Sequence, residues 1–275
     1  MPKITMAFVS THKTIGIIGT GNLGKSLMTM FHRRKAPMIC SVRDNDRLRL
    51  LREKFCVYDV KLTADNTRIA SEADVLILSV KPTQIKNVCR DILSNLSSDT
   101  IVISAAAAIP LSSLHYWLPH SEVIIRCIPN VPCSVGKGIV PYYTHSEVGH
   151  KIMAETFAPN MVLPLETDEQ MDAATIISGC GPAFFSWYQD CLRNVGSNVI
   201  DPDLLTTMIT QTMVGTAALL EKESSYDIIK AVASPGGATQ ATLELLYINN
   251  IHDEIKAAFA TAKRRINSIV NTLNQ

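Results

Sequence analysis

Ile15-Gly16-Ile17-Ile18-Gly19-Thr20-Gly21-Asn22-Leu23-Gly24 is the stretch on which the reading of this chain turns. A short apolar run with no polar interruption reads as a buried strand. Three glycines follow at once, and Lys25 to His32 then has a helix-compatible pattern. In such a strand–turn–helix unit Gly19 permits the tight turn and Gly21 lets the backbone approach a pyrophosphate. Gly24 lets the helix pack closely on the sheet. The free N–H groups at the helix start then attract phosphate charge. The bland alternative is a plain strand-to-helix turn. The position of the motif in the first βα unit favours dinucleotide binding.

Outward from this turn, further apolar runs lie at Met38 to Val42, Asp74 to Val80, Thr100 to Ser104 and Glu122 to Ile128. Between them, segments such as Leu48 to Lys54 and Gln84 to Leu93 have amphipathic helical spacing. Strands apolar along their whole length, alternating with helices, predict an α/β fold with a parallel sheet covered on both faces. This pattern runs to about residue 165. After Asp168 the strand signal stops. Leu204, Leu205, Met208, Ile209, Thr212, Met213, Thr216, Ala217 and Leu220 recur at three- and four-residue steps, behind an Asp201-Pro202 helix start. Ile255, Ala258, Phe259, Ala262, Ile266, Ile269, Val270 and Leu273 form an apolar seam on the last helix, suited to another helix or a second subunit. Two domains are expected, 1–165 and 166–275, the second all-helical.

Composition narrows the function. The 275 residues are 47% hydrophobic and 19% charged, enough for a large core and against disorder. A formal charge of +1 with no basic stripe gives no footprint for nucleic acid. The longest apolar stretches fall short of the about 20 residues of a membrane span. No secretory signal is read in Met1 to Thr14, and the expectation is a soluble cytoplasmic protein. Seven scattered cysteines without a Cys-x-x-Cys pair suggest neither zinc nor disulfides, and are expected as small buried hydrophobes in a reducing compartment. The seven histidines form no His-Glu-x-x-His arrangement, so no metal is expected.

Loops after the strands should line one ligand crevice. Ser41 and Arg43 could hold a 2′-phosphate, whereas Asp44 stands about where an acid would bind a free ribose 2′-hydroxyl. Arg43 is nearer the strand end, which favours NADP(H), with NAD(H) as the alternative. Lys81 in Val80-Lys81-Pro82 faces the expected crevice. Ser104-Ala105-Ala106-Ala107 would let a flat nicotinamide lie close or would merely pack the core, and Pro129-Asn130-Val131-Pro132 follows the next strand.

In the helical half, Ser178-Gly179-Cys180-Gly181-Pro182 interrupts a segment running from Asp172 to Arg193. Proline cannot donate to the carbonyl of Ser178, and the break signals either a packing kink or a close approach of backbone to ligand. Ser234-Pro235-Gly236-Gly237-Ala238-Thr239 precedes a helix from Gln240 to Tyr247, with Ser234 as a plausible N-cap. Its two glycines would bare amides able to hold a carboxylate, beside the Thr239 hydroxyl.

Together and in this order these stretches, with Arg126 to Pro132 and Asp172 to Ala183, resemble the pyrroline-5-carboxylate reductase family from roughly Thr14 to Leu273. The glycine turn is common to many reductases, whereas the last two motifs at this spacing are far more specific. The resemblance implies a Rossmann-type doubly wound sheet followed by a helical domain that forms homodimers, often assembled into decamers. It implies NAD(P)H-dependent reduction of the cyclic imine 1-pyrroline-5-carboxylate to L-proline. Carried over, Gly19, Thr20, Gly21, Asn22, Leu23 and Gly24 hold the pyrophosphate, and Ser41 and Arg43 lie near the adenosine ribose. Asn66, Val80, Lys81, Pro82, Ala105, Ala106, Ala107 and Asn130 are further cofactor contacts. Asp168, Ser178, Gly179, Cys180, Ser234, Gly236 and Gly237 line the substrate pocket, and Thr239 is the catalytic residue at the ring nitrogen. The chain departs from the family at Cys180, where serine is common, and at Val131, where threonine is common. It departs again at Asp168, usually glutamate, and at Leu246 to Asn250, which often ends in glycine. Reduction of another small carboxylated imine or keto acid, or a non-catalytic dinucleotide-binding oligomer, are the rival readings.

Overall fold

Every residue of Ile15–Ile18 is buried, so that strand needs cover on both faces and neighbours on both edges. The computed structural model, which describes residues 13–42, 46, 49–51, 53 and 60–273, gives it both. Eight strands form one sheet: β1 (Ile15–Ile18), β2 (Met38–Ser41), β3 (Val60–Thr63), β4 (Val75–Leu78), β5 (Ile101–Ser104), β6 (Ile124–Cys127), β7 (Ile139–Tyr143) and β8 (Met161–Pro164). Their order is β3-β2-β1-β4-β5-β6-β7-β8. The six strands β1 to β6 run parallel, β7 lies antiparallel to β6, and β8 is parallel to β7. The chain winds outward from β1 to β3 and then returns to β4 on the other side. The switch point of this doubly wound sheet therefore lies between β1 and β4, where such folds place a ligand.

The period-two alternation of strand side chains explains the two layers of cover. Ile15 and Ile17 face one core with Val75, Ile77 and Ile103. Helix α1 (Asn22–Arg33) supplies Leu27, Met28 and Phe31 to it. Ile18, Leu76, Leu78 and Val102 face the other core. There α2 (Asn66–Glu72) brings Ile69, α3 (Pro82–Ile92) brings Ile85 and Cys89, and α4 (Leu111–Trp117) brings Leu114. Helix α5 (Glu147–Phe157) covers the first face with Ile152, Met153 and Phe157, and the rings of Phe31 and Phe157 lie 6.3 Å apart.

The five strands expected from the sequence all form, Ile15–Ile18 with the expected bounds and the other four shortened to four residues. Strands β3, β7 and β8 were not expected. The first is a half-exposed edge strand with little apolar signal, and the other two contain Pro141 and Pro164, residues that argue against a strand. Arg43, Asp44 and Cys56 lie outside the described residues. So does much of the expected helix at Leu48 to Lys54, of which 49–51 and 53 are described, as helix.

The chain divides into two compact units, one running to Cys180 and taking up the chain again from Lys263, the other spanning Gly181–Ala262. In the first, α6 (Asp168–Ala174) is tied to the sheet by a buried charge. Arg126 of β6 is 1% exposed, and its guanidinium bonds the carboxylates of Asp168 and Asp172. Asp168 also accepts the Leu111 backbone N–H at 3.2 Å. A guanidinium this deep is tolerable only with such partners. The second unit is helical: α7 (Gly181–Gly196), α8 (Pro202–Leu220), α9 (Ser225–Val232), α10 (Ala238–Ile248) and α11 (Ile251–Leu273), whose last turns belong to the first unit. The expected cap is in place, with the Asp201 carboxylate accepting from the amides of Asp203 and Leu204. Phe259, on the apolar seam of α11, meets Phe184 edge to face at 4.8 Å. Phe185, Trp187, Tyr188, Leu245 and Tyr247 remain exposed. No described helix is long and apolar enough to cross a membrane.

Cys40, Cys89, Cys127 and Cys133 are buried as expected, but Cys180 and Cys191 are only half-buried. Burial pushes the thiols of Cys40 and Cys89 up to about 12 and that of Cys133 to about 11, and raises Cys127 as well. Native-state alkylation at pH 8, read by peptide mass mapping, is expected to modify Cys180 and Cys191 roughly a hundredfold faster than the four buried thiols. Replacing Asp172 by alanine leaves the Arg126 guanidinium short of a partner. Breaking a fully buried pair costs about 3–5 kcal/mol, and the partial exposure of Asp172 reduces the expected loss to about 2 kcal/mol in urea unfolding.

Candidate active site

The glycine turn is built by close contacts that only glycine allows. Gly19 takes a φ of +101°, in the region L side chains rarely adopt. A β carbon on Gly24 would lie 2.0 Å from the Gly19 carbonyl oxygen, so α1 starts with its backbone against the end of β1. Gly21 is different, since a β carbon there would meet nothing within 4 Å. Protein packing does not demand glycine at that position. Gly21 is the N-cap of α1 and offers no side-chain cap, and the first turn of the helix carries no acidic residue. The amides of that turn are left for an outside acceptor, at the positive end of the helix dipole. These are the features a pyrophosphate requires, and the residues fit that group.

A cavity of about 350 Å³ opens over this turn. It gathers Gly19, Thr20, Gly21, Asn22, Ser41, Asn66, Val80 and Lys81 from the expected cofactor set. It also contains Ser79 and Gln84, which the sequence reading passed over. Both sit by the carboxyl end of β4, and the rule that ligands bind at strand ends could have found them. The Thr20 hydroxyl donates to the Ser41 carbonyl at 3.0 Å, fastening the turn to β2. The Ser79 hydroxyl donates to the Gly19 carbonyl at 2.5 Å. Lys81 is the N-cap residue of α3, ahead of Pro82 in the first turn.

Other expected cofactor residues lie outside this cavity. Leu23 packs against the core under α1. Ala105 and Ala106 are buried in the two opposite cores, so packing accounts for both, while Ala107 is half-buried. Arg43 falls outside the described residues. Asn130 is committed to holding the chain together: its Oδ1 accepts the Ile139 amide at 3.1 Å and its Nδ2 donates to the Ser178 carbonyl at 3.2 Å.

That last bond explains the break in the helix. Pro182 cannot donate to Ser178, and the Asn130 side chain supplies the missing hydrogen instead. The chain passes through a π-helical turn at Thr175–Gly179, closed by the Cys180 amide on the Thr175 carbonyl at 3.0 Å. Helix α7 begins at Gly181. A β carbon on Gly179 would lie 3.0 Å from the Ile128 side chain, so the close approach made here is to protein. The Ser178 hydroxyl bonds the Ala174 carbonyl at 2.8 Å. Asp168, expected at the substrate pocket, spends its carboxylate on Arg126 and the Leu111 amide.

In the helical unit, the glycine-proline stretch closes a turn ahead of the helix and does not form the helix's first turn. The Gly237 amide donates to the Ser234 carbonyl at 3.0 Å, with Gly236 at φ +71°, a tight turn with Pro235 at its second position. The N-cap of α10 is therefore Gly237, and not Ser234. The Gly236 amide is taken by the Gln240 side chain at 2.8 Å. The glycine amides expected to be bare are thus both engaged, and those left at the helix start belong to Ala238, Thr239 and Gln240. Thr239 is half-buried.

Residues 14–108 match the model of the coenzyme F420-dependent NADP oxidoreductases, and residues 168–269 match that of the pyrroline-5-carboxylate reductase dimerisation domain. The chain is 28% identical over 269 residues to the pyrroline-5-carboxylate reductase of Pseudomonas aeruginosa, covering 95% of this chain and 98% of that one. The Arabidopsis thaliana enzyme of that name is 29% identical over 261 residues, covering 91% and 93%. Among solved structures, the pyrroline-5-carboxylate reductase of Coxiella burnetii superposes with a TM-score of 0.76 at 27% identity, covering 94% of this chain and 98% of that one. A Plasmodium falciparum pyrroline carboxylate reductase solved with NADP bound shares the fold, with a TM-score of 0.82 at 22% identity over the same shares of the two chains.

The two glycines of α1 should respond oppositely to an added methyl. Gly24→Ala forces α1 off β1 and is expected to cost about 3 kcal/mol or more in urea unfolding. Gly21→Ala should unfold within about 1 kcal/mol of the parent, yet weaken dinucleotide binding by about tenfold or more in a fluorescence titration.

Proposed function

The chain belongs to the pyrroline-5-carboxylate reductase family, and from that membership we propose that it reduces 1-pyrroline-5-carboxylate to L-proline with NADPH as hydride donor, in the cytoplasm. The observation that carries this reading is the likeness along the whole chain, helical half included. A shared dinucleotide fold alone would leave the substrate open.

Residues 1–165 serve as the dinucleotide domain, and residues 166–275 bind the imine and pair two subunits. The aromatic side chains exposed on α7 and α10 support such pairing, and the dimers assemble further into decamers. The turn from Gly19 to Gly24 and the first amides of α1 hold the pyrophosphate. Ser41 and Asn66 serve the adenosine end, and Lys81 offers a cation in the same cavity. When bound, NADPH supplies hydride to the imine carbon. The rest is placement of two ligands, worth several kcal/mol of the barrier on its own. The amides of Ala238, Thr239 and Gln240, at the positive end of α10, take the substrate carboxylate. The Thr239 hydroxyl hydrogen-bonds the ring nitrogen as it passes from imine to amine, and solvent delivers the proton that the nitrogen gains.

NADPH oxidation followed at 340 nm should depend on added pyrroline-5-carboxylate and yield proline, with kcat/KM higher for NADPH than for NADH. Dinucleotide binding without turnover of this imine would reject the assignment. Thr239→Ala should lower kcat by about a hundredfold and leave the NADPH dissociation constant within twofold, while Thr239→Ser restores most of the rate. An unchanged rate in the alanine variant would remove Thr239 from the mechanism.

A further inference from the structure

The glycine turn has a fourth member outside its motif, contributed from the neighbouring strand. Ser79 follows β4 directly, and its backbone N–H donates to the Ile18 carbonyl at 2.8 Å, extending the β1–β4 pairing by one residue. Its hydroxyl donates to the Gly19 carbonyl at 2.5 Å, with the Ile18 oxygen further away at 3.4 Å. A β carbon on Gly19 would meet the Ser79 carbonyl carbon and oxygen at 2.8 Å, so the turn rides directly over the Ser79 backbone. One on Gly24 would lie 3.0 Å from the Ser79 hydroxyl. Two of the three motif glycines therefore owe their identity in part to Ser79.

The Gly19 carbonyl lies against the first turn of α1, and the hydroxyl of Ser79 is its hydrogen-bond donor among the described residues. A peptide unit is planar and trans, so its C=O and the following N–H point in opposite directions. Fixing the Gly19 carbonyl fixes the direction of the Thr20 amide, and with it the path into Gly21. We infer that Ser79 is a positioning residue for the cofactor, holding the Gly19–Thr20 peptide so that the turn receives a pyrophosphate without first rearranging. Without the hydroxyl, the carbonyl loses this donor, and the amides lose part of the fixed aim that makes the turn an anion cradle. The inference rests on the proposed dinucleotide site.

Its test compares Ser79→Ala, Ser79→Thr and Ser79→Val by titration with NADPH and NADH and by steady-state kinetics. Threonine and valine have nearly the same shape and differ in the hydroxyl, so the pair separates the hydrogen bond from packing. Alanine and valine should raise the dissociation constants of both dinucleotides about tenfold, the pyrophosphate being common to the two. Threonine should stay within about threefold of the parent. The KM for the imine and kcat at saturating NADPH should hold within twofold in all three folded variants. Equal losses in the threonine and valine variants would reduce Ser79 to a packing residue. A loss confined to NADPH would move its role to the 2′-phosphate, and an unchanged affinity in the alanine variant would end the inference. A parent protein that binds neither dinucleotide would instead overturn the proposed function.

Discussion

The contact between Gly24 and the carbonyl of Gly19 governs how the first helix leaves the first strand. With 2.0 Å separating that oxygen from any β carbon at position 24, no other residue lets α1 begin where it does. From that junction follow the cover that α1 gives to one face of the sheet, through Leu27, Met28 and Phe31, and the aim of its first amides. The position of the cavity at the β1–β4 switch point follows as well. The same junction needs Gly19 at positive φ, a conformation glycine adopts at little cost. Two of the three motif glycines are therefore steric necessities of the fold. At the third, Gly21, a β carbon would meet nothing within 4 Å, so packing does not demand glycine there.

This division explains what could be read from the sequence. A steric demand that excludes every side chain leaves a mark on residue identity, so the turn was legible, as were β1, β2, β4, β5 and β6, whose burial leaves apolar runs. Strand β3 stands at a sheet edge with Lys61 exposed, while β7 and β8 carry proline, so none gave a clear pattern. The candidate site divides in the same way. The glycines and Lys81 announced themselves by type and place. Ser79 and the engagements of Asn130 and Asp168 depend on hydrogen bonds across long sequence separations, and such bonds leave no period to detect. The N-cap of α10 was misread because Ser234 is a good cap by type, whereas Pro235 and Gly236 first close a turn that passes the cap to Gly237.

Buried polar groups show how distant pieces specify one another. Pro182 leaves the Ser178 carbonyl without its helical partner, and a stranded buried carbonyl costs about 1–3 kcal/mol. Asn130 satisfies it from the loop after β6, while its other end takes the Ile139 amide at the start of β7. The break in the helix and the antiparallel turn of the sheet are thus linked through one side chain. Arg126, four residues earlier, anchors the helix leading into the same break through Asp168 and Asp172. Two residues of the motif from Arg126 to Pro132 thus tie the π turn and the helix before it to the sheet.

Reduction of an activated imine needs no strong acid or base from the protein, and the distribution of perturbed groups agrees with that. The large pKa displacements fall on the buried thiols Cys40, Cys89, Cys127 and Cys133, none of which lines the cavity. What the chain provides instead is aimed amides: those of α1 beyond an N-cap without a side chain, and those of α10 beyond another glycine N-cap. In both helices glycine stands where serine or aspartate would have capped the helix with its own oxygen. The intrinsic stability each helix forgoes leaves its first turn open to an anion, which restores the missing acceptor when it binds. The same arrangement, a glycine N-cap ahead of open first-turn amides, thus stands at the start of both helices.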